Sequence, residues 1–264
     1  MDDLHVATVA AQTGAAIVRA SFGNHAFEDQ KGRFDPVTEI DHRSEAAIMD
    51  VLSIQRPDDG ILAEESGGRI EAGRHWIIDP LDGTVNFVHG IPQVAVSVAL
   101  YDGPDPLVGV VVDPLAEETF SARADGGTTL NGRPVSVSSV DLLERAVVAT
   151  GFPYDHDQYA DEYTAVVAAM LKHVNGLRRF GSAALDLAWT AVGRYEGYWE
   201  LGLAPWDLAA GVLLVREAGG LVTDPFGVDV VPGNGLVVAG NAALHEKLVA
   251  IVHAAMPDRL IRGS

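Results

Sequence analysis

Five acidic residues carry the types and spacing for metal chemistry. Glu64 and Glu65 close the run Ile61-Leu-Ala-Glu-Glu. Asp79 and Asp82 fall in Trp76-Ile-Ile-Asp-Pro-Leu-Asp-Gly-Thr84, and Asp207 stands far downstream in Pro205-Trp-Asp-Leu-Ala-Ala-Gly211. Asp79 follows Trp76, Ile77 and Ile78, a run that reads as a buried strand. An anion at the end of such a strand needs cations or strong donors. Pro80, Asp82 and Gly83 predict a turn that aims two carboxylates at one point, which is how a protein holds a hard divalent cation.

The two oxygens of Asp79 suit a bridge between two ions. The Leu81 carbonyl offers a neutral ligand in the same turn, Asp82 and Glu64 each complete one ion, and Asp207 joins from the second half of the chain. An all-oxygen set without His or Cys favours magnesium or manganese over zinc. Carboxylates packed together repel one another, so cations would stabilise the site and prepare it for an anionic substrate. Each acid also has a plainer role. Asp41 and Asp207 suit helix caps, Glu64 and Glu65 a solvated pair after a strand, and Asp82-Gly83 an ordinary turn.

The elements that must position these residues are legible in the periodicity. Leu4, Ala7, Ala11, Gly14, Val18 and Phe22 recur at helical spacing and predict a helix from Asp3 to Ser21. A polar loop follows from Asn24 to Phe34, and Asp35-Pro-Val-Thr38 reads as a turn. A second helix is expected from Asp41 to Gln55. Strands are expected at Ile61–Ala63, Trp76–Ile78, Val94–Leu100 (half-exposed, with Ala95, Ser97 and Ala99 on the open face) and Leu107–Val112. Asn131-Gly132 is a hairpin signal. Beyond about Val140 the pattern alternates strand and helix, with helices at Tyr159–Val174, Ser182–Val192 (Ser182 as N-cap) and Pro205–Ala218, closed by Gly219-Gly220. The expectation is an α/β (α+β) protein of layered sheets and helices. It has two packed halves, 1–140 carrying most of the metal ligands and 141–264 carrying Asp207, with the active site between them.

The chain has 264 residues, 48% of them hydrophobic, which suits a globular fold with a sizeable core. Its formal net charge of −19 would repel nucleic acid and anionic membranes. The absence of cysteine excludes disulfides, zinc–thiolate sites and thiol catalysis. The acidic start, Met1-Asp-Asp-Leu-His5, is unlike a signal peptide, and no stretch reaches the ~18 apolar residues of a membrane span. The expectation is a soluble, cytoplasmic protein.

Taken together, these segments resemble the inositol monophosphatase family of magnesium-dependent, lithium-sensitive sugar-phosphate phosphatases. Four elements carry the resemblance, in the family's order: Asp35-Pro-Val-Thr-Glu-Ile-Asp41, Glu64-Glu65-Ser66, Trp76-Ile-Ile-Asp-Pro-Leu-Asp-Gly-Thr-Val-Asn-Phe-Val-His-Gly-Ile-Pro92, and Trp206-Asp207 through Gly219-Gly220. It covers essentially the whole chain and implies the layered αβαβα sugar-phosphatase fold. It implies a first magnesium on Glu64, Asp79 and the Leu81 carbonyl, and a second on Asp79, Asp82 and Asp207. A third, weaker ion would lean on Glu64, and manganese is a substitute metal. Asp41 and Thr84 would position and deprotonate the attacking water. Gly83 and Thr84 would open a short helix whose N–H groups bind the phosphate. Gly181, Ser182 and Ala183 would start a sugar-facing helix, with Ser182 otherwise a cap. Glu200 would accept hydrogen bonds from substrate hydroxyls. Arg178 would pair with Glu200 or face the substrate, whereas Arg179 reads as solvated. Lys31 would add positive charge near the phosphate or remain solvated in its loop. A homodimer is implied as well.

The implied reaction is direct in-line attack of water on inositol monophosphate or a similar small polyol phosphate. Paired metals about 3.5–4 Å apart would neutralise the phosphate and acidify the water. Val85 and His89 stand where the related histidinol-phosphate phosphatases often carry Lys and Arg, which favours inositol. Fructose-1,6-bisphosphatase activity would need a second anion site, for which Lys172, Arg178 and Arg179 are candidates. A 3′-phosphoadenosine 5′-phosphate phosphatase would need a base pocket that the sequence does not reveal. A non-enzymatic scaffold derived from a phosphatase is the reading from another class, and it sits poorly with an intact ligand set.

Overall fold

The computed structural model describes residues 1–23, 29–32, 35–70, 72–154, 156–231, 233 and 235–256, with side chains not described for 29–32 and 35. The first half contains α1 (Asp3–Ser21), β1 (Asp29–Gly32), β2 (Asp35–Val37), α2 (Glu39–Gln55), β3 (Gly60–Ala63), β4 (Gly67–Gly68), β5 (Arg74–Asp82) and α3 (Thr84–Val88). An antiparallel run follows: β6 (Ala95–Asp102), β7 (Asp105–Asp113), β8 (Glu118–Arg123), β9 (Gly127–Leu130) and β10 (Arg133–Val135). The rest comprises β11 (Val147–Thr150), α4 (Ala160–Met170), β12 (Gly176–Arg178), α5 (Ala183–Ala191), β13 (Gly197–Leu201), α6 (Pro205–Glu217), β14 (Gly220–Thr223), β15 (Leu236–Asn241) and α7 (His245–Ala255).

Two sheets result, besides the small β1–β2 hairpin. One has eight strands in the order β10-β9-β8-β7-β6-β5-β3-β4, and the other has five in the order β12-β11-β13-β15-β14. Strand alternation sorts the core into layers. In β5, Trp76 and Ile78 pack with Val6, Ala10, Ile48 and Leu52 of α1 and α2. Ile77, between them, points the other way, into a core shared with Leu187 of α5 and Leu208 and Leu213 of α6. Tyr198 of β13 reaches that same middle core from the second sheet. Its neighbour Trp199 packs outward with Tyr163, Val166, Leu248 and Val252 of α4 and α7. The order of layers is therefore helix, sheet, helix, sheet, helix, with α5 and α6 sandwiched between the sheets.

Several sequence expectations change. Strand β6 is buried over Ala95–Tyr101 rather than half-exposed, because Ala95 and Ala99 lie under the middle helices. The segment Asp35–Val37 is a strand paired with β1, not a turn. The Lys31 side chain lies outside the described residues. Helix α2 begins at Glu39, with Thr38 as its N-cap. Helix α4 stops at Met170, short of Val174. The Asn131-Gly132 turn joins β9 to β10 as expected, with both residues at positive φ (49° and 75°).

Candidate active site

Strand β5 delivers two carboxylates by a bulge where the sequence predicts a turn. The strand continues through Pro80 and Leu81 to Asp82. Its pairing with β6 slips there, Asp79 lying opposite Ser97 and Asp82 opposite Ala95, so the longer segment bulges. Pro80, which has no N–H to offer a ladder, sits at that bulge. Its carbonyl accepts a hydrogen bond from Ser44 Oγ of α2 at 2.7 Å. Asp79 Oδ1 accepts from Leu81 N at 3.0 Å, which fixes the local bend. One oxygen each from Asp79, Asp82 and Asp207 lie within 4.8 Å of one another.

Each carboxylate is also held from behind. Asp82 Oδ2 accepts from Ser182 Oγ at 2.5 Å and Ala184 N at 2.8 Å, at the start of α5. Asp207, the third residue of α6, accepts from Ala204 N at 2.7 Å. Asp41 Oδ2 accepts from Thr38 N at 2.8 Å and Thr38 Oγ1 at 2.6 Å, and Asp41 Oδ1 lies 3.0 Å from Thr84 Oγ1. Capping and site chemistry are thus not rivals for Asp41 and Asp207, because the same carboxylate closes a helix and reaches the cluster or its neighbour. Beside them, Glu45 accepts from Glu65 N and Ser66 N at 2.8 Å each, which fixes the chain just after Glu64.

The electrostatics are those of acids crowded out of water. Burial first, then Glu64, Asp82 and Asp207, push the Asp79 carboxyl well above the usual carboxylate range. Burial first, then Asp82 and Glu64, do the same to Asp207. Burial raises Asp82 to about 6 even though Ser182 and the α5 amides oppose the shift. An acid cluster that resists losing its protons is one that a cation would relieve.

The carboxylates line a cleft of about 250 Å³. Glu64, Leu81, Gly83 and Thr84 border it, as do Gly181, Ala183 and Glu200 from the second half of the chain. Gly83, at φ 88°, is the N-cap of α3, and a Cβ there would lie 2.8 Å from Gln93 O. Thr84 Oγ1 lies 3.0 Å from the Leu81 carbonyl as well as from Asp41. Glu200 is buried and accepts a hydrogen bond from Tyr198 Oη. Burial raises its carboxyl to about 7, and Tyr198 and Arg179 oppose that shift.

Three expected residues sit elsewhere. Ser182 is buried behind the cleft, capping α5 and holding Asp82. Asp41 is buried one hydrogen bond behind the cleft, with Thr84 between. Arg178 is exposed and bonds its own neighbour's carbonyl at Leu177, whereas Arg179, exposed as expected, also borders the cleft with its guanidinium 5.7 Å from the Phe152 ring centroid. The short strand β12 ends at Arg178, and strand alternation does not carry past that end.

Sequence reasoning also missed Asn86. Its amide donates to Gln93 O at 2.8 Å and Phe180 O at 2.7 Å, joining α3 to the approach of α5. Asp186, one turn into α5, is buried, with no hydrogen-bond partner for either oxygen among the described residues. Burial, then Glu200 and Asp82, raise its carboxyl well above the ordinary range. Nothing in the spacing of Asp186 or Asn86 distinguishes them from surface polar residues.

This geometry has close counterparts. A family model described as the inositol monophosphatase family matches residues 2–256. An inositol-1-monophosphatase from Synechocystis is 41% identical over 250 residues, spanning 93% of this chain and 86% of that protein. The protein named Nus factor SuhB from Salmonella typhimurium is 42% identical over 235 residues, 88% of each chain. The crystal structure of the extragenic suppressor protein suhB from Bartonella henselae superposes with a TM-score of 0.89 at 40% identity, over 94% of this chain and 97% of that one. Matches of this length and identity, reached on the same fold, establish that the chain belongs to the inositol monophosphatase family and, with it, that this is a phosphomonoesterase.

Proposed function

We propose that this phosphomonoesterase hydrolyses inositol monophosphate or a similar small polyol phosphate, with magnesium as its metal, by direct in-line attack of water. The observation that carries the reading is the convergence of Asp79, Asp82 and Asp207 in a cleft that Glu200 also borders. The donor set fits a hard cation, because it holds carboxylate and carbonyl oxygens and neither His nor Cys. Glu64, Asp79 and the Leu81 carbonyl would hold one ion, Asp79, Asp82 and Asp207 a second, and a third, weaker ion would lean on Glu64. Such ions supply neutralisation of the phosphate oxygens and acidification of the attacking water.

The chain's own residues do the rest. Thr84 Oγ1, backed by Asp41, holds the water at the cleft, and this pair takes its proton. Amides at the Gly83–Thr84 start of α3 receive the phosphate. Glu200 accepts hydrogen bonds from hydroxyls of the leaving group, beside Gly181 and Ala183. The protein works as a homodimer, which sedimentation velocity tests.

Relatives named Nus factor favour a second reading, in which the chain also serves as a binding partner in a larger assembly. The net charge of −19 argues for a protein rather than a nucleic-acid partner in that case. Phosphate release with magnesium decides the primary reading, comparing inositol 1-phosphate, histidinol phosphate, fructose 1,6-bisphosphate and 3′-phosphoadenosine 5′-phosphate. Preference for inositol 1-phosphate is expected. Equal or better turnover of any of the other three would overturn the assignment of substrate, and no turnover of any of the four would leave the scaffold reading.

A further inference from the structure

Around Glu200 the cleft wall is built more closely than a single recognition residue requires. Tyr198 and Glu200 lie two apart on β13, and the Tyr198 hydroxyl donates to Glu200 Oε2. The neighbouring parallel strand β11 ends at Thr150, opposite Trp199. The next residue, Gly151, lies so close that a Cβ built on it would overlap the Glu200 carboxylate. A glutamate side chain ordinarily loses rotamer freedom when it binds a ligand. Here a phenol on one side and bare backbone on the other have already removed that freedom.

Arg179 stands at the same wall. Its guanidinium lies over the Phe152 ring, and its charge is felt by both Glu200 and Asp186. A solitary carboxylate would attract an ammonium group. A guanidinium at the same wall favours the ionised carboxylate and opposes a second cation beside it, while the carboxylate still accepts hydrogen bonds from hydroxyls. Phe152, Pro153 and Leu203 add an apolar border to this part of the cleft.

We propose that Tyr198 and Gly151 position Glu200 to accept hydroxyl hydrogens of the leaving group, and that Arg179 makes this subsite one for an uncharged polyol and against an amine. This rests on the phosphatase reading above and assigns its specificity to residues outside the metal site. Tyr198 and Gly151 are positioning residues, since they act through Glu200. Arg179 determines specificity by its charge.

The test is steady-state kinetics with magnesium on three substrates: inositol 1-phosphate, histidinol phosphate, and p-nitrophenyl phosphate, whose leaving group has no hydroxyl for Glu200 to bind. For Tyr198→Phe, KM for inositol 1-phosphate is expected to rise about tenfold, and KM for p-nitrophenyl phosphate less than about threefold. Gly151→Ala should show the same split, and if it does not fold, Tyr198→Phe decides alone. For Arg179→Gln, the ratio of kcat/KM for histidinol phosphate to that for inositol 1-phosphate is expected to rise about tenfold. Equal KM changes on both substrates in Tyr198→Phe, or no change on either, would overturn the positioning role. An unmoved ratio in Arg179→Gln would overturn the charge role. Wild-type protein that releases no phosphate even from p-nitrophenyl phosphate would sink the phosphatase reading itself, whereas wild-type turnover with unmoved variant ratios would sink only the subsite.

Discussion

Ser182 Oγ donates to Asp82 Oδ2 at 2.5 Å, across one hundred residues of chain. That bond joins the bulged end of β5 to the first turn of α5, where Ala184 N meets the same oxygen. A charge-assisted bond at a helix N-terminus orients the carboxylate and favours its ionised form. Ser182→Ala removes both this donor and the cap of α5. The expected outcome is a loss of about 1 kcal/mol in stability and a roughly tenfold weaker magnesium affinity. Urea unfolding and calorimetric titration read the two effects separately, and an unchanged affinity would make the bond merely structural.

Asp82→Asn is expected to keep the fold while losing metal-dependent turnover by more than about a hundredfold. An amide keeps an oxygen for Ser182 and Ala184 but supplies no anion for a dication. Removing one of several mutually repelling buried acids should also raise the stability of the metal-free protein. Thermal melts in a chelator, beside phosphate release in magnesium, check the two halves of this expectation. Retained turnover would remove Asp82 from the ligand set.

Gly83→Ala tests the entry to α3. The position has φ 88°, and an added Cβ would lie 2.8 Å from Gln93 O and 3.3 Å from Gly181 O. The left-handed backbone alone costs a non-glycine residue about 1–2 kcal/mol, and the close carbonyls add to it. A destabilisation of about 2 kcal/mol or more is expected by urea unfolding, with a rise in KM, because Thr84 and the α3 amides shift with the turn. Wild-type stability and KM would show that the turn tolerates a side chain.

The helices, the buried strand before Asp79 and the family were legible because each rests on local pattern: periodicity, an apolar run, a motif of fixed spacing. Asp79, Asp82 and Asp207 were found for the same reason, since each sits at a recognisable strand end or helix start. What was not legible depends on contacts between segments distant in sequence. The Pro80 bulge reads as a turn until β6 is seen to pair on both sides of it. The small residues of β6 read as half-exposed until α5 and α6 cover them. Arg178 and Arg179 are equivalent in sequence, and only the end of the short strand β12 decides which borders the cleft. Gly151 carries no signal at all, because its requirement comes from Glu200 on another strand.

The pH dependence of stability should reveal the crowded acids directly. Asp82 is raised from 3.8 to about 6 and Glu200 from 4.5 to about 7, while Asp79, Asp186 and Asp207 shift in the same direction. A carboxyl that binds its proton more tightly when folded gives the native state more protons than the unfolded chain through this window. For Asp82 and Glu200 that stabilising effect is therefore full below about pH 4, falls as pH rises through the folded values, and is spent by about pH 8. Each pKa unit corresponds to about 1.4 kcal/mol, so even two such groups suffice to move a melting midpoint by several degrees. Magnesium acts oppositely on its ligands, favouring their ionised forms and shrinking the shift for the metal-bound acids. The expected result is a melting temperature in chelator that drops from pH 5 to pH 8 relative to the curve in saturating magnesium, so that the two curves diverge with rising pH. Parallel curves across that range would mean that the cation does not engage these carboxylates.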